Sequence, residues 1–311
     1  MFQYIFTILK TNNINQFFLR LLVVLCIIYF GLNIYKYFGD KSHEMEGFTQ
    51  LEQFVLKRNE NIYDGFYSQI YDEIHKPNHK TDFELNQIIQ LTQPTHNSVF
   101  LDIGSGTGDL VNELQQAGYQ AYGIDKSQAM VDISEKKYPA NQYKCGDALE
   151  PMAFEKGTFS HILCTYFTIY QMEDKRTFFK NCYHWLMPNG YLILHLVERN
   201  KFDAISPVGK SKLIMNPKHI PGSPRITNTI VDFGGFEYKS SFDFSEENKV
   251  SIVEKFQDKA SKHIRQNEQT LQMETIEDIL KMANGFTFKA KIDMKNCIDD
   301  ENQFIYILEK I

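Results

Sequence analysis

The sequence predicts an α/β domain built on a doubly wound, mostly parallel β-sheet. An apolar strand ends in a glycine-rich turn within residues 99–110, VFLDIGSGTGDL. Short apolar strands then alternate with helical segments as far as residue 197, and acidic residues recur at the ends of these strands. Because ligands of such sheets bind beyond the carboxyl ends of the strands, we expect the site to lie in the loops that follow them.

The glycine-rich turn is the first element that points to a ligand. Asp102 is followed by Gly104, Gly106 and Gly108, and glycine is favoured where a strand-to-helix turn needs positive φ or where a ligand approaches the backbone. A dinucleotide fingerprint would need glycine at position 109, where this chain has Asp109. The spacing therefore argues against a pyrophosphate ligand, and a turn that binds nothing is the alternative.

Two further strands lead into acidic residues. The segment 119–124 is followed by Asp125, whose carboxylate suits the paired hydroxyls of a ribose without selecting one cofactor. The segment 142–145 leads into Gly146, Asp147 and Ala148. For Asp147, a role in a turn or as a helix cap is the alternative to ligand binding.

The order acid-x-Gly-x-Gly-x-Gly, with acids after the next two strands, resembles the class I S-adenosylmethionine (SAM)-dependent methyltransferases. The resemblance implies SAM as the cofactor and a seven-stranded Rossmann-like sheet, with Asp147 facing the adenine amino group. The cofactor-binding residues that it implies are Tyr71, Asp102, Gly104, Ser105, Gly106, Gly108, Asp125, Lys126, Met130, Asp147, Ala148, Cys164 and Tyr166.

The fourth and fifth predicted strands bring the catalytic candidates. Residues 159–164 run into the aromatic segment 165–170, which we expect to form the floor under the methyl donor, and residues 186–197 contain a Pro-Asn-Gly turn and a fifth strand. Tyr166, Tyr170 and His195 are the predicted catalytic residues, with Tyr166 first because of its position. Glu198 and His219 are further candidates for a general base, and a core or capping role is the alternative for each.

After Arg199 the alternation of strand and helix stops. Four prolines, at 207, 217, 221 and 224, mark a long loop, and residues 226–233, 236–244 and 249–257 each have the pattern of a strand. We therefore predict an inserted antiparallel sheet and loop over about residues 199–273. A helix at 273–283 and strands at 287–293 and 303–308 would complete the main sheet, the last of them antiparallel.

This layout resembles small-molecule methyltransferases, among them N-methyltransferases of amino sugars, in which an inserted sheet covers the site and often mediates dimerisation. The resemblance implies a small-molecule methyl acceptor and a homodimer. A purely structural cover is the alternative.

An aromatic segment precedes the glycine-rich turn. Tyr63, Tyr67 and Tyr71 recur every four residues, which predicts one face of a helix. The functional interpretation is a lid helix over the cofactor, and ordinary core packing is the alternative.

The amino terminus differs from the rest of the chain. Residues 17–38 carry Arg20, Asn33 and Lys36 near the ends of an apolar stretch, which predicts a single-pass membrane helix within an amino-terminal segment 1–40. A signal-peptide core or a buried helix is the alternative, although no small-residue cleavage site follows. Residues 41–60 are predicted to be a linker and 61–311 the methyltransferase domain.

The composition of the chain limits the kinds of partner and acceptor that we expect. A net charge of −6 with scattered cations gives no basic stripe, so we expect no nucleic-acid partner. Five widely separated cysteines form neither a disulfide framework nor a metal site, which favours a domain that faces the cytosol. The favoured function is transfer of a methyl group to an amine or sugar. A lipid or quinone acceptor and a non-catalytic scaffold subunit are the alternatives.

Overall fold

The computed structural model describes residues 14–41, 52–75, 78–202, 204, 227–298 and 300–311. The chain divides into two compact units, Met1–Thr49 and Gln50–Ile311. The helices are α1 (Ile14–Lys41), α2 (Gly65–His75), α3 (Asn78–Thr92), α4 (Asp109–Gln116), α5 (Gln128–Lys137), α6 (Lys175–Trp185), α7 (Ile276–Met282) and α8 (Lys295–Ile298).

The described strands all lie in the second unit. They are β1 (Phe54–Arg58), β2 (Val99–Ile103), β3 (Gln120–Asp125), β4 (Gln142–Cys145), β5 (Phe159–Cys164), β6 (Leu186–Val197), β7 (Asn228–Asp232), β8 (Phe236–Asp243), β9 (Lys249–Asp258), β10 (Ile264–Gln272), β11 (Phe286–Asp293) and β12 (Gln303–Lys310).

In the first unit, α1 confirms that the amino-terminal segment is helical. Among the described residues, however, no helix combines the length and the apolar character that a membrane span requires. The run without charged or strongly polar side chains reaches only from Leu21 to Leu32, whereas a bilayer core needs about 20 apolar residues. The predicted membrane helix at 17–38 is therefore not supported.

The second unit is built on a seven-stranded main sheet with the order β11-β12-β6-β5-β2-β3-β4. The strands from β2 to β6 pair in parallel, and β12 is antiparallel to both of its neighbours. This confirms the predicted Rossmann-like architecture, including the antiparallel last strand. The chain direction across the sheet reverses between β2 and β5, so a crevice opens at their carboxyl ends.

The main sheet has apolar layers on both faces. Ile162 and Cys164 pack into one layer, whereas Leu163 between them packs into the other. This alternation is what a strand buried on both faces requires. The layers hold the strand ends in fixed positions, and the loops at those ends form the site.

A second, five-stranded sheet has the order β1-β10-β9-β8-β7, and we call it the cover sheet. The three predicted strands of the insertion are confirmed as β7, β8 and β9. The linker prediction for 41–60 is wrong in part, because β1 pairs in parallel with β10 and belongs to this sheet. Strand β10 was not predicted because its sequence, IRQNEQTLQ, is mostly polar, and pairing with two neighbours fixes it as a strand.

Candidate functional site

The glycine turn after β2 is held against the end of β3. The backbone amides of Gly104 and Ser105 donate to the Ile124 carbonyl at 2.8 and 3.2 Å. Gly104, Gly106 and Gly108 all have positive φ, at 73°, 52° and 86°. The turn therefore needs glycine for its conformation, as the sequence predicts.

Gly106 and Asp125 form a cradle at the end of β3. The Gly106 amide donates to Asp125 Oδ2 at 2.9 Å, and the Ser127 amide donates to Oδ1 at 2.8 Å. A Cβ on Gly106 would have only the Tyr71 ring near it, at 3.9 Å, so the space beside the Gly106 Cα is open. A carboxylate that is held by two amides keeps lone pairs for a vicinal diol, and the arrangement fits the ribose of SAM.

Asp102 lies one residue before the end of β2 and is 4% exposed. Burial raises its pKa well above the ordinary value, and the nearby carboxylates of Asp125 and Glu84 raise the pKa further. Burial also raises the pKa of Asp125, although the hydrogen bonds from the Ser127 and Gly106 amides act in the opposite direction. Two acids whose charges interact thus lie near the carboxyl ends of two paired strands, where a cationic ligand would stabilise the charged forms of both.

Asp147, which was predicted to face the adenine, lies near another predicted cofactor-binding residue, Lys126. Lys126 Nζ lies 3.0 Å from Asp147 Oδ2, and the other Asp147 oxygen accepts the Leu149 amide at 2.9 Å. Met130 and Ala148, also predicted to bind the cofactor, are buried. Asp147 therefore shapes its own turn, as the alternative interpretation predicts, while its carboxylate lies at the same edge of the sheet as Asp125.

The predicted aromatic face lies against the glycine turn. Helix α2 begins at Gly65, so Tyr63 precedes it, but the rings of Tyr63, Tyr67 and Tyr71 still follow one another at centroid distances of 5.5 and 6.0 Å. Tyr71 lies beside Gly106, where it was predicted to contact the cofactor.

The segment after β5 supplies the floor of the crevice. Cys164 is fully buried, and its burial raises the thiol pKa, so the group is neutral at pH 7. Tyr166 follows with a φ of 54°, a left-handed conformation that is uncommon outside glycine and is often found at functional sites. The Thr168 side chain comes within 2.5 Å of the position that a Cβ on Gly104 would occupy.

Two predicted catalytic residues lie in the core. Tyr170 is fully buried, and its hydroxyl accepts the Val197 amide at 2.8 Å, which corrects its predicted role to a structural one. His195 is also fully buried and packs against the Phe167 ring at 5.7 Å, so the structure favours the core interpretation for it as well. His219 lies outside the described residues.

Sequence reasoning singled out Tyr63 but missed the residues through which it joins the parts of the site, Gln171 and Gln269. The Tyr63 hydroxyl accepts from Gln171 at 2.9 Å and from Gln269 at 3.2 Å, which links the segment after β5 to the cover sheet. Thr168 was not singled out either. No local sequence signal marks these residues, because their partners lie far away along the chain.

Comparison with known proteins agrees with this geometry. Residues 101–194 match the methyltransferase domain family. The chain is 32% identical over 114 residues to a ubiquinone biosynthesis O-methyltransferase of Bradyrhizobium diazoefficiens, covering 35% of this chain and 44% of that protein. For four curated relatives, the aligned segment covers 41 to 67% of their length.

Solved structures show the same fold over most of the chain. A SAM-dependent methyltransferase from Clostridium acetobutylicum has a TM-score of 0.59 at 18% identity, covering 78% of this chain and 97% of that one. A SAM-bound amino pentose methyltransferase from Micromonospora echinaspora has a TM-score of 0.55 at 18% identity, covering 81% of this chain and 99% of that one.

Proposed function

We propose that this chain is a SAM-dependent methyltransferase that transfers the methyl group to a small molecule, with an amine or a sugar as the acceptor. The observation that carries the proposal is the cradle of Gly106 and Asp125, in which open space beside the Gly106 Cα adjoins the Asp125 carboxylate. The amino pentose methyltransferase of similar fold supports an amine acceptor.

The chemistry needs little from the protein beyond placement. When bound, SAM supplies an electrophilic methyl group on a positively charged sulfur. The acceptor's lone pair forms the new bond to the methyl carbon, the carbon–sulfur bonding pair leaves with sulfur, and an amine then releases one proton to water. Side chains around the crevice hold the two reactants in line and exclude water, with the Gly106 and Asp125 cradle fixing the donor side.

Asp109 supports SAM over a dinucleotide. At the place of the third glycine of a dinucleotide fingerprint, its carboxylate accepts from Lys137 at 2.5 Å and from the Tyr138 hydroxyl. A charged side chain that is held there would oppose a pyrophosphate.

Isothermal titration calorimetry of the full chain with SAM tests the proposal, with NADH as the comparison. We expect SAM to bind and NADH to give no signal. Incubation with methyl-labelled SAM and a cell extract then shows whether label enters soluble metabolites, lipid or protein. If SAM does not bind, the enzyme hypothesis is refuted, and the non-catalytic scaffold subunit becomes the favoured function.

A quinone or lipid acceptor is the second candidate. The match to the ubiquinone biosynthesis O-methyltransferase favours it, although that match covers only 35% of this chain. Label in the lipid fraction would select it. The homodimer and the cytosolic location of the domain stay predictions from the sequence.

A further inference from the structure

The cover sheet has an inner face, which we define as the face that carries Phe256, Tyr238 and Arg265. Helix α2 packs on this face, with the rings of Phe66 and Tyr67 at 5.5 and 6.1 Å from Phe256. The inner face therefore continues from the aromatic residues that lie against the glycine turn.

A row of polar residues crosses this inner face. Asn267 pairs with Glu254, Glu254 with Ser240, and Ser240 with Thr229, on four adjacent strands. Directly paired residues project from the same face of a sheet, so the four side chains form one row, which we call the polar row. The rows on either side contain mainly apolar or aromatic residues, among them Phe256 and Tyr238 on one side and Ile252 and Phe242 on the other.

Glu254 is the acid of the polar row and is buried. Its Oε1 accepts from the Tyr67 hydroxyl at 3.1 Å and the Tyr238 hydroxyl at 2.8 Å, and its Oε2 accepts from Asn267 at 3.2 Å. The nearby cations instead pair with Asp64. Arg265 forms a bidentate ion pair with it at 2.8 and 2.9 Å, and Lys57, the β1 residue paired with Asn267, lies 3.4 Å from its Oδ2. Glu254 is thus oriented by neutral donors, and burial raises its pKa.

Two hydroxyls of the polar row are unused. Ser240 is 4% exposed, and neither its Oγ nor the buried Oγ1 of Thr229 has a hydrogen-bond partner in the described part of the protein. A buried polar atom without a partner is destabilising and calls for an explanation, of which a bound ligand is one. Both hydroxyls lie on the same side of Glu254, away from α2.

The polar row lies close to the part of the crevice that is proposed to bind SAM. Gln269, which donates to Tyr63, is two residues from Asn267 on β10, a distance of about 7 Å along a strand. Tyr63 in turn joins the segment after β5 through Gln171. Its pKa is raised by burial and further by the carboxylates of Glu254 and Asp125, which lie near the same ring.

We propose that the polar row is the acceptor site and that its ligand is a polyhydroxylated amine of the amino sugar class. Glu254 binds the ammonium group, because a buried carboxylate without an ion-pair partner is stabilised by a cation. One proton then passes from the ammonium to the Glu254 carboxylate, which frees the nitrogen lone pair for the methyl carbon. The Ser240 and Thr229 hydroxyls hold sugar hydroxyls. This inference rests on the proposed function and names the acceptor class of the same site.

Calorimetry on the full chain, saturated with S-adenosylhomocysteine, tests the inference with D-glucosamine and 3-amino-3-deoxy-D-glucose as probes and glucose as the neutral comparison. We expect an amino sugar to bind and glucose to bind at least tenfold more weakly. Glu254→Gln should weaken amino sugar binding by about 10 to 100-fold, the range for a hydrogen bond to a charged group. Glu268→Gln, on the outer face of β10 and paired with Arg58 at the surface, should leave binding unchanged.

Ser240→Ala separates ligand binding from folding. Because Ser240 Oγ has no partner in the described part of the protein, its removal should leave the melting temperature unchanged or raised, while amino sugar binding falls about fivefold. If Glu254→Gln does not fold, this variant alone decides the question.

The outcomes distinguish the two proposals. SAM titrations of the same proteins, prepared without S-adenosylhomocysteine, report on the proposed function: absence of SAM binding in the unmodified chain would refute that function. If SAM binds but neither amino sugar does, or if Ser240→Ala binds the amino sugar with unchanged affinity, the polar row is not the acceptor site.

Discussion

The hydroxyl of Thr107 donates a hydrogen bond of 2.6 Å to the carboxylate of Asp72, and this contact joins the glycine turn to helix α2. Lys137 lies 2.6 Å from the other Asp72 oxygen and 2.5 Å from Asp109. One cation therefore bridges the aromatic helix and the first turn of α4. The position of the helix over the crevice depends on this cluster as well as on ring packing.

Replacing Thr107 by Val removes the hydroxyl and keeps the shape of the side chain. We expect faster hydrogen exchange in residues 65–75 and SAM binding weakened about tenfold, since a hydrogen bond to a charged group contributes about 1.5 kcal/mol. Exchange mass spectrometry and calorimetry measure the two effects. Thr270→Val, at an exposed position on β10, is the control. Unchanged exchange in α2 would show that ring packing alone holds the helix.

Replacing Asp125 by Asn removes the charge that the cradle presents to a ribose. We expect SAM affinity to fall about 10 to 100-fold, because hydrogen bonds to a charged acceptor contribute about 1.5 to 3 kcal/mol. Calorimetry measures the change. Asp132→Asn is the matched control, since this exposed residue on α5 bonds only to Gln128 among the described residues. An affinity for SAM within twofold of the unmodified chain would contradict the assignment of Asp125.

Replacing Gly104 by Ala tests the close approach of the segment after β5. The new Cβ would lie 2.5 Å from Thr168 Cγ2, and φ is 73°. Gly157→Ala is the control, because φ is 67° there and no atom lies within 4 Å of the Cβ position. Both variants carry a backbone strain of about 1 kcal/mol. Because only Gly104→Ala adds a clash with Thr168, we expect it to lower the melting temperature more than Gly157→Ala does. Adding Thr168→Ala should recover part of that loss, and no recovery would mean that the strain is elsewhere.

His161 gives the protein a pH dependence on the acid side. It is buried, stacks on Phe100 at 4.4 Å, and its burial lowers the pKa from 6.5 to about 4. The folded state therefore binds fewer protons than the unfolded state between these values. The stability that this histidine contributes is complete above pH 6.5 and falls by up to about 3 kcal/mol as the pH drops to 4.

We expect His161→Phe, which keeps the stacked ring but cannot titrate, to flatten this part of the curve of unfolding free energy against pH. Denaturant unfolding at several pH values between 4 and 7 measures it. His184→Gln, at an exposed position on α6, should follow the unmodified chain. A curve for His161→Phe that is parallel to that of the unmodified chain would assign the effect to other groups.

The cofactor side of the site was predictable because its residues are close together in the sequence. Three glycines need positive φ within five residues, and Asp125 ends the next strand. Spacing alone therefore identified the two residues that form the cradle. The polar row was harder to predict from the sequence, although one local pattern indicated it. In the sequence VSIVEKFQD of β9, Glu254 occupies an alternating position between Ile252 and Phe256, which places a charge on the inward face.

The sequence by itself determined the fold class, the glycine turn and the donor acids, because strand periodicity and turn conformation are local properties of the chain. Only the tertiary structure decided that Tyr170 is a core residue and that β1 and β10 complete the cover sheet. It also brought Tyr63, Gln171 and Gln269 to one point. The contacts of Tyr63 and the pairing of β1 with β10 join segments more than 100 residues apart in the chain, and the energy of such contacts is set by what packs around them.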